Sequence, residues 1–95
     1  MTYIRLSVVK PRPGQEARAL EMLHALSAAT AGSPGWQANH VMRPHDDSGE
    51  LVRISIYEDE ASAEREAASA TVMALRSELH LVIEPGHRER GFFSV

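Results

Sequence analysis

The sequence predicts one α+β domain whose elements run β-α-β-β-α-β. That order makes a four-stranded antiparallel sheet with helices on one face, the ferredoxin-like arrangement. Three observations predict it. Residues 2–10 and 50–58 alternate apolar and polar side chains with the two-residue period of a strand. Residues 15–31 are rich in Ala, Leu, Glu and Met, with Leu20, Leu23 and Leu26 at helical spacing. Between them, Ser33 to Asp59 reads as two strands around the turn Pro44-His45-Asp46-Asp47-Ser48-Gly49, whose residues supply fixed φ, positive φ and local caps. Ninety-five residues suffice for a single domain, 1–95, with one modest core.

The first strand, Thr2 to Lys10, sets Ile4, Leu6 and Val8 on one face and Tyr3, Arg5 and Ser7 on the other. Pro11-Arg12-Pro13-Gly14 ends it, because two prolines remove ladder donors. Gln15 to Ala31 form the first helix, its leucine stripe flanked by Ala17 and Thr30. Gly32 suits the position just past the helix, and Ser33-Pro34 bars continuation. Trp36 to Arg43 is the second strand. Its pattern leaves open whether Asn39, with Gln37 and Val41, or His40, with Trp36, Ala38 and Met42, meets the pocket. In the third strand, Glu50 to Glu58, Val52, Ile54 and Ile56 alternate with Arg53, Ser55 and Tyr57.

Asp59 suits a helix N-cap, with Glu60, Glu64 and Glu66 toward the positive helix end. Ala61 to Ala70 is helical but weakly apolar and belongs at the surface. A break is expected near Ser69 to Thr71, then a segment from Val72 to His80 with Val72, Leu75 and Leu79 on one side. Pro85-Gly86 forms a turn, and Arg90 to Val95 is the last strand, with Phe92 and Phe93 facing opposite ways. The sheet face away from the helices is expected to hold Tyr3, Tyr57, Trp36 or Val41, and one phenylalanine. Such a face is too apolar for solvent, and a second subunit packed sheet to sheet would cover it.

Composition excludes several classes. The formal charge is −3, and the ten cations, a single Lys among them, do not cluster, which argues against nucleic acid and anionic membrane as partners. The chain has no cysteine, hence no disulfide framework or thiolate nucleophile, which suits the cytoplasm. The N-terminal residues lack a signal-peptide pattern, and no apolar run reaches membrane-spanning length. The five histidines, His24, His40, His45, His80 and His87, have no metal-ligand spacing. There is no Gly-rich loop before a helix and no nucleophile elbow. No metal or cofactor is therefore expected.

Pro34, Gly35, Trp36, Arg43, Asp46, Asp47, Gly49, Tyr57 and Glu58 form a Pro-Gly-aromatic start, an R-x-x-D-D-x-G turn and an aromatic-acidic strand end. This pattern resembles the antibiotic biosynthesis monooxygenase (ABM) family of dimeric α/β-barrel proteins, and the order of elements agrees over nearly the whole chain. The resemblance implies a homodimer of two four-stranded sheets, with a pocket between sheet and helices in each subunit. It implies one of several activities: cofactor-independent oxygenation of polycyclic phenols, quinol oxygenation or haem degradation. The haem-degrading branch carries an Asn on the first strand, a Trp at the end of the third and a His on the second helical stretch. Here those places hold Arg5 or Ser7, Tyr57, and Thr71 or Val72, with His80 about two turns on. All three depart, so haem is not the expected ligand.

The candidate catalytic residues are Tyr57, Arg53 and His40. The candidate substrate-binding residues are Arg5, Ser7, Trp36, Met42 and Ser55. A phenol at Tyr57 would hydrogen-bond a quinol or donate a proton; as structure, it is a half-buried interface tyrosine. Arg5 and Arg53 lie on neighbouring strands and would stabilise a phenolate or enolate; otherwise they pair with Glu50, Glu58 or Glu84 across a subunit interface. His40 would act as a base, or is a satisfied interior histidine. Trp36 and Met42 would line an aromatic pocket, or are plain core. The leading functional expectation is cofactor-independent oxygenation of a small or polycyclic hydroxylated, quinol-like aromatic. Its rivals are a non-catalytic ligand-binding or dimerisation domain and a small-acid isomerase or decarboxylase. The last needs an acid–base pair that only His40 with Tyr57 would supply.

Overall fold

The computed structural model describes residues 1–95. Its elements are β1 (Tyr3–Val9), α1 (Glu16–Thr30), β2 (Trp36–Met42), β3 (Leu51–Tyr57), α2 (Glu60–Ala67), α3 (Ala70–His80) and β4 (Arg88–Phe93). The four strands form one antiparallel sheet in the order β2-β3-β1-β4, and the helices cover one face. The ferredoxin-like order is as the sequence predicts, the second helical region being split. Each half has its own N-cap: the Asp59 carboxylate accepts from the Ser62 amide at 2.8 Å, and the Ser69 hydroxyl accepts from the Val72 amide at 3.2 Å. A separate cap at each start, Asp59 for α2 and Ser69 for α3, satisfies orphan donors at both, so the break costs little.

The sheet faces are the reverse of what the alternation suggests. Register pairs Tyr3 with Tyr57, Arg5 with Ser55, Ser7 with Arg53 and Val9 with Leu51, and all of these lie under the helices. Tyr3 and Tyr57 therefore do not sit on the outer face. That face instead carries Ile4, Leu6, Val8, Val52, Ile54 and Ile56, all partly exposed, with Met42 and Phe92 beside them. The physical reason lies in how the helix layer is held. The main core, including Val9, Leu23, Leu26, Leu51, Leu79 and Ile83, closes one end of the sheet–helix interface. A second cluster of Tyr3, Tyr57 and Ala63, with Trp36 against it, closes the other. Between them Arg5 and Arg53 find partners on the helices, Arg5 at Glu64 and Arg53 at Ser27 and Thr30, so these two charges are held by the fold rather than by solvent.

Two details follow from packing. On α1 the buried stripe is Ala19, Met22, Leu23, Leu26 and Thr30, with Leu20 at its edge and Ala17 exposed. The last strand begins and ends two residues earlier than its composition suggests. Gly91 pairs with Arg5, and the Tyr3 phenol lies where a Cβ on residue 91 would be. Only glycine lets that ring cross β4, and this locks the register. Phe93 then stacks against Tyr3 at 5.1 Å between ring centres, while Phe92 falls on the outer face. Gly35, at φ +84°, is held against the Ser62 side chain in the same way, which brings the start of β2 down onto α2.

Candidate functional site

The polar middle of the sheet–helix interface opens into a cavity. It encloses about 650 Å³ of non-atom space including its solvent-filled mouth, of which the centres of water molecules can occupy about 50 Å³. That is room for a few waters, so a ring-sized ligand must displace them and widen the slot. The walls come from every element except β2. Arg5 and Ser7 come from β1, Arg53, Ser55 and Tyr57 from β3, Thr30 and two leucines from α1, Glu66 from α2, Arg76 and His80 from α3, and Glu89 from β4. His87 stands beside His80 at the mouth, their ring centres 4.7 Å apart.

The charges divide into committed and uncommitted groups. The Arg5 guanidinium donates to Glu64 at 2.8 Å and to the Tyr3 phenol oxygen at 3.2 Å. Burial works against its charge, but Tyr3 and Glu64 outweigh that and raise its pKa. Arg76 grips both carboxylate oxygens of Glu89 at 3.0 Å. Arg53 differs. Its Nε donates to the Ser27 hydroxyl at 3.1 Å and its Nη2 to the Thr30 hydroxyl at 3.2 Å, and it forms no ion pair. A guanidinium has five donors, and neutral hydroxyls take two of them. Burial, aided by the nearby Arg76 charge, pulls the Arg53 pKa down against the attraction of Tyr57 and Glu89. A charge kept in this state is poised to receive an anion.

Tyr57 is 3% exposed, and burial raises its phenol above the usual range; Arg53 pulls it back and Glu66 pushes it further. The phenol stays protonated and able to donate. Ser55 faces the cavity with a buried hydroxyl that has no partner in the protein. Neither Asn39 nor His40 lines the cavity, but Asn39 is the one on the helix side of β2. Its side chain turns toward the helices, and Nδ2 donates to the Ser27 carbonyl at 2.8 Å and the Thr30 hydroxyl at 3.0 Å. Asn39 thus fixes the α1 end that in turn holds Arg53.

Of the residues singled out in the sequence, the structure brings Arg5, Ser7, Arg53, Ser55 and Tyr57 to one cavity. His40 and Met42 lie exposed on the outer face, opposite Ile54 and Val52. Trp36 packs on the Tyr3–Tyr57–Ala63 cluster outside the cavity wall. Glu66 escapes a reading that counts it among the acidic residues of a helix start. The signal was its spacing: Ala63, Glu66 and Ala67 stand at i, i+3 and i+4, a stripe of small residues that faces inward, with one carboxylate set in it. No group of three His, Cys, Asp or Glu side chains lies close enough to hold a metal ion, and no helix is long and apolar enough to cross a membrane.

The fold has many solved counterparts. Rv0793 from Mycobacterium tuberculosis superposes with a TM-score of 0.90 at 16% identity, covering 100% of this chain and 96% of that one. SnoaB from Streptomyces nogalater, a cofactor-independent oxygenase, gives 0.87 at 16% identity, covering 98% and 92%. PA3566 from Pseudomonas aeruginosa gives 0.84 at 15% identity, covering 99% and 94%. At such identity the likeness establishes the fold alone. No curated protein sequence matches the chain. The family profile described as antibiotic biosynthesis monooxygenase matches residues 2–78, most of the chain. Together with the fold, that match makes this chain a member of the antibiotic biosynthesis monooxygenase family.

Proposed function

We propose that the protein is a cofactor-independent monooxygenase acting on a small or polycyclic hydroxylated aromatic bound between the sheet and the helices. The observation that carries this reading is Arg53, a guanidinium facing the cavity with only neutral hydroxyl partners, beside the protonated Tyr57 phenol. In such chemistry the substrate supplies the electrons. An anionic substrate reduces dioxygen, one oxygen atom becomes a ring carbonyl, and the other leaves as water with the two hydrogens of a ring CH₂. The protein's part is to hold the substrate, lower the cost of its anion and exclude bulk water. Arg53 faces the oxyanion, Tyr57 donates a hydrogen bond to it, and Ser55 offers a further polar contact, with Ser7 nearer the mouth. Arg5, held by Glu64, shapes the wall.

The functional unit in this reading is a homodimer joined through the outer sheet face. A field of Ile, Val and Leu side chains on β1 and β3, with Met42 and Phe92 exposed at its margins beside His40 and Arg90, supports it. The test is a thermal-shift panel of hydroxylated aromatics, quinols, haem and small organic acids, since any ligand that prefers the folded chain raises its melting temperature. A shift with a polyphenol is expected. Shifts confined to haem or to small aliphatic acids would overturn the reading.

A further inference from the structure

We infer that the same cavity carries out proton abstraction next to a ring carbonyl, with Glu66 as the base, and that it does so without oxygen. The inference deepens the reading above and rests on an aromatic ligand occupying the cavity. Glu66 lies on the inward stripe of α2 and is half-buried. Its carboxylate has no hydrogen bond or ion pair, although Glu64, two residues earlier, is paired with Arg5. Arg53, which lines the same cavity, likewise lacks a carboxylate, and the two opposite charges do not meet each other. Both act on the Tyr57 phenol, Arg53 favouring its ionisation and Glu66 opposing it.

An acceptor and a cation, neither with a counter-ion, lining one cavity together with a phenol donor are the parts that enolisation requires. The ring C–H bond adjacent to the carbonyl breaks, and its proton goes to a Glu66 oxygen. The electron pair becomes the C=C bond of an enolate whose oxygen faces Arg53 and accepts from Tyr57. Return of the proton to oxygen gives the enol, and return to carbon gives exchange. No oxidant enters the step. The substrate class is accordingly a ring ketone fused to an aromatic ring, with an acidic benzylic CH₂ beside the carbonyl. An Asp59-capped α2 places the base, so the acid–base pair is Glu66 with Tyr57, and His40 on the other face has no part in it.

The test is anaerobic. 2-Tetralone, a bicyclic ketone with such a CH₂, is incubated with the full chain in D₂O, and loss of the C1 proton signal is followed by NMR. The wild-type chain is expected to accelerate exchange about 10²-fold or more over buffer, the scale of general-base catalysis. Glu66→Gln should lose that acceleration while keeping its circular dichroism and its binding of 2-naphthol, read by calorimetry. Glu66→Asp should retain part of it. Exchange undiminished in Glu66→Gln, or no acceleration by the wild-type chain, would overturn the assignment. Anaerobic exchange with no oxygen uptake in a parallel aerobic run on a hydroxylated aromatic would leave Glu66 in place and remove the oxygenase reading; aerobic uptake without anaerobic exchange would do the reverse.

Discussion

Replacing Arg53 with methionine separates two roles for its guanidinium. As a strut, it ties α1 to the sheet through Ser27 and Thr30. Hydrogen bonds from a charged donor contribute about 1.5–3 kcal/mol each, so losing two would destabilise the fold by about 3–6 kcal/mol. As an anion receptor, it is a buried charge without an opposing charge, and replacing buried ionic groups by apolar ones of similar volume is neutral or stabilising by about 1–4 kcal/mol. Thr30 keeps its bond from Asn39 and its own bond to the Ser27 carbonyl, so only the Ser27 hydroxyl loses its partner. In a domain of this size, 1 kcal/mol moves the melting temperature by about 4–8 °C. The receptor account predicts a Tm that is unchanged or higher, measured at fixed protein concentration because a dimer's Tm depends on it. It also predicts that 1-hydroxy-2-naphthoate binds about 10- to 100-fold more weakly by calorimetry, the equivalent of one charge-assisted bond. A Tm lower by more than about 10 °C with affinity retained would refute the reasoning and make Arg53 a strut.

Other perturbations test other parts. Tyr57→Phe should lower oxygen uptake while light scattering still reports a dimer; full activity would remove the phenol from the mechanism. Because burial raises the Tyr57 pKa above its ordinary 10.0, the unfolded chain loses this proton first. Its contribution to stability is thus complete below that pH and declines as pH rises toward the folded value. Urea titrations in alkali should therefore show a shallower decline for Tyr57→Phe than for the wild-type chain. Gly91→Ala should cost about 1–3 kcal/mol in a thermal melt, since the new methyl meets the Tyr3 ring. Ile54→Glu, at the middle of the outer face, should give a monomer by light scattering at micromolar concentration; a monomeric wild-type chain would remove the two-sheet proposal.

The fold was legible because each element had a local signal: alternation in β1 and β3, Leu spacing in α1, and Asp59 and Pro34-Gly35 as punctuation. Alternation could not say which face the helices cover. Arg53 is held by Ser27 and Thr30, which Asn39 ties to the sheet in turn, and those contacts between distant elements exist only in three dimensions. The site was half legible for the same reason. Tyr57 and Arg53 stand out at the end of a clean strand. Glu66 hides in an Ala-rich helix where a carboxylate ordinarily points to water, and Arg76 and Glu89 are joined only by the approach of α3 to β4. His40 misleads because the alternation of β2 is weak and a bulge between Trp36 and Ala38 changes its phase.

The most direct test of the central claim is oxygen consumption in an electrode chamber. The chain would be freed of metals and supplied with no cofactor, and a cavity-binding hydroxylated aromatic would be the only added reductant. The account predicts uptake of one O₂ per substrate consumed, with formation of a ring carbonyl and loss of the rate in Arg53→Met. A phenol that binds the cavity and is stable in air beside the wild-type protein would contradict it, and would make the cavity a binding site rather than a site of oxygenation.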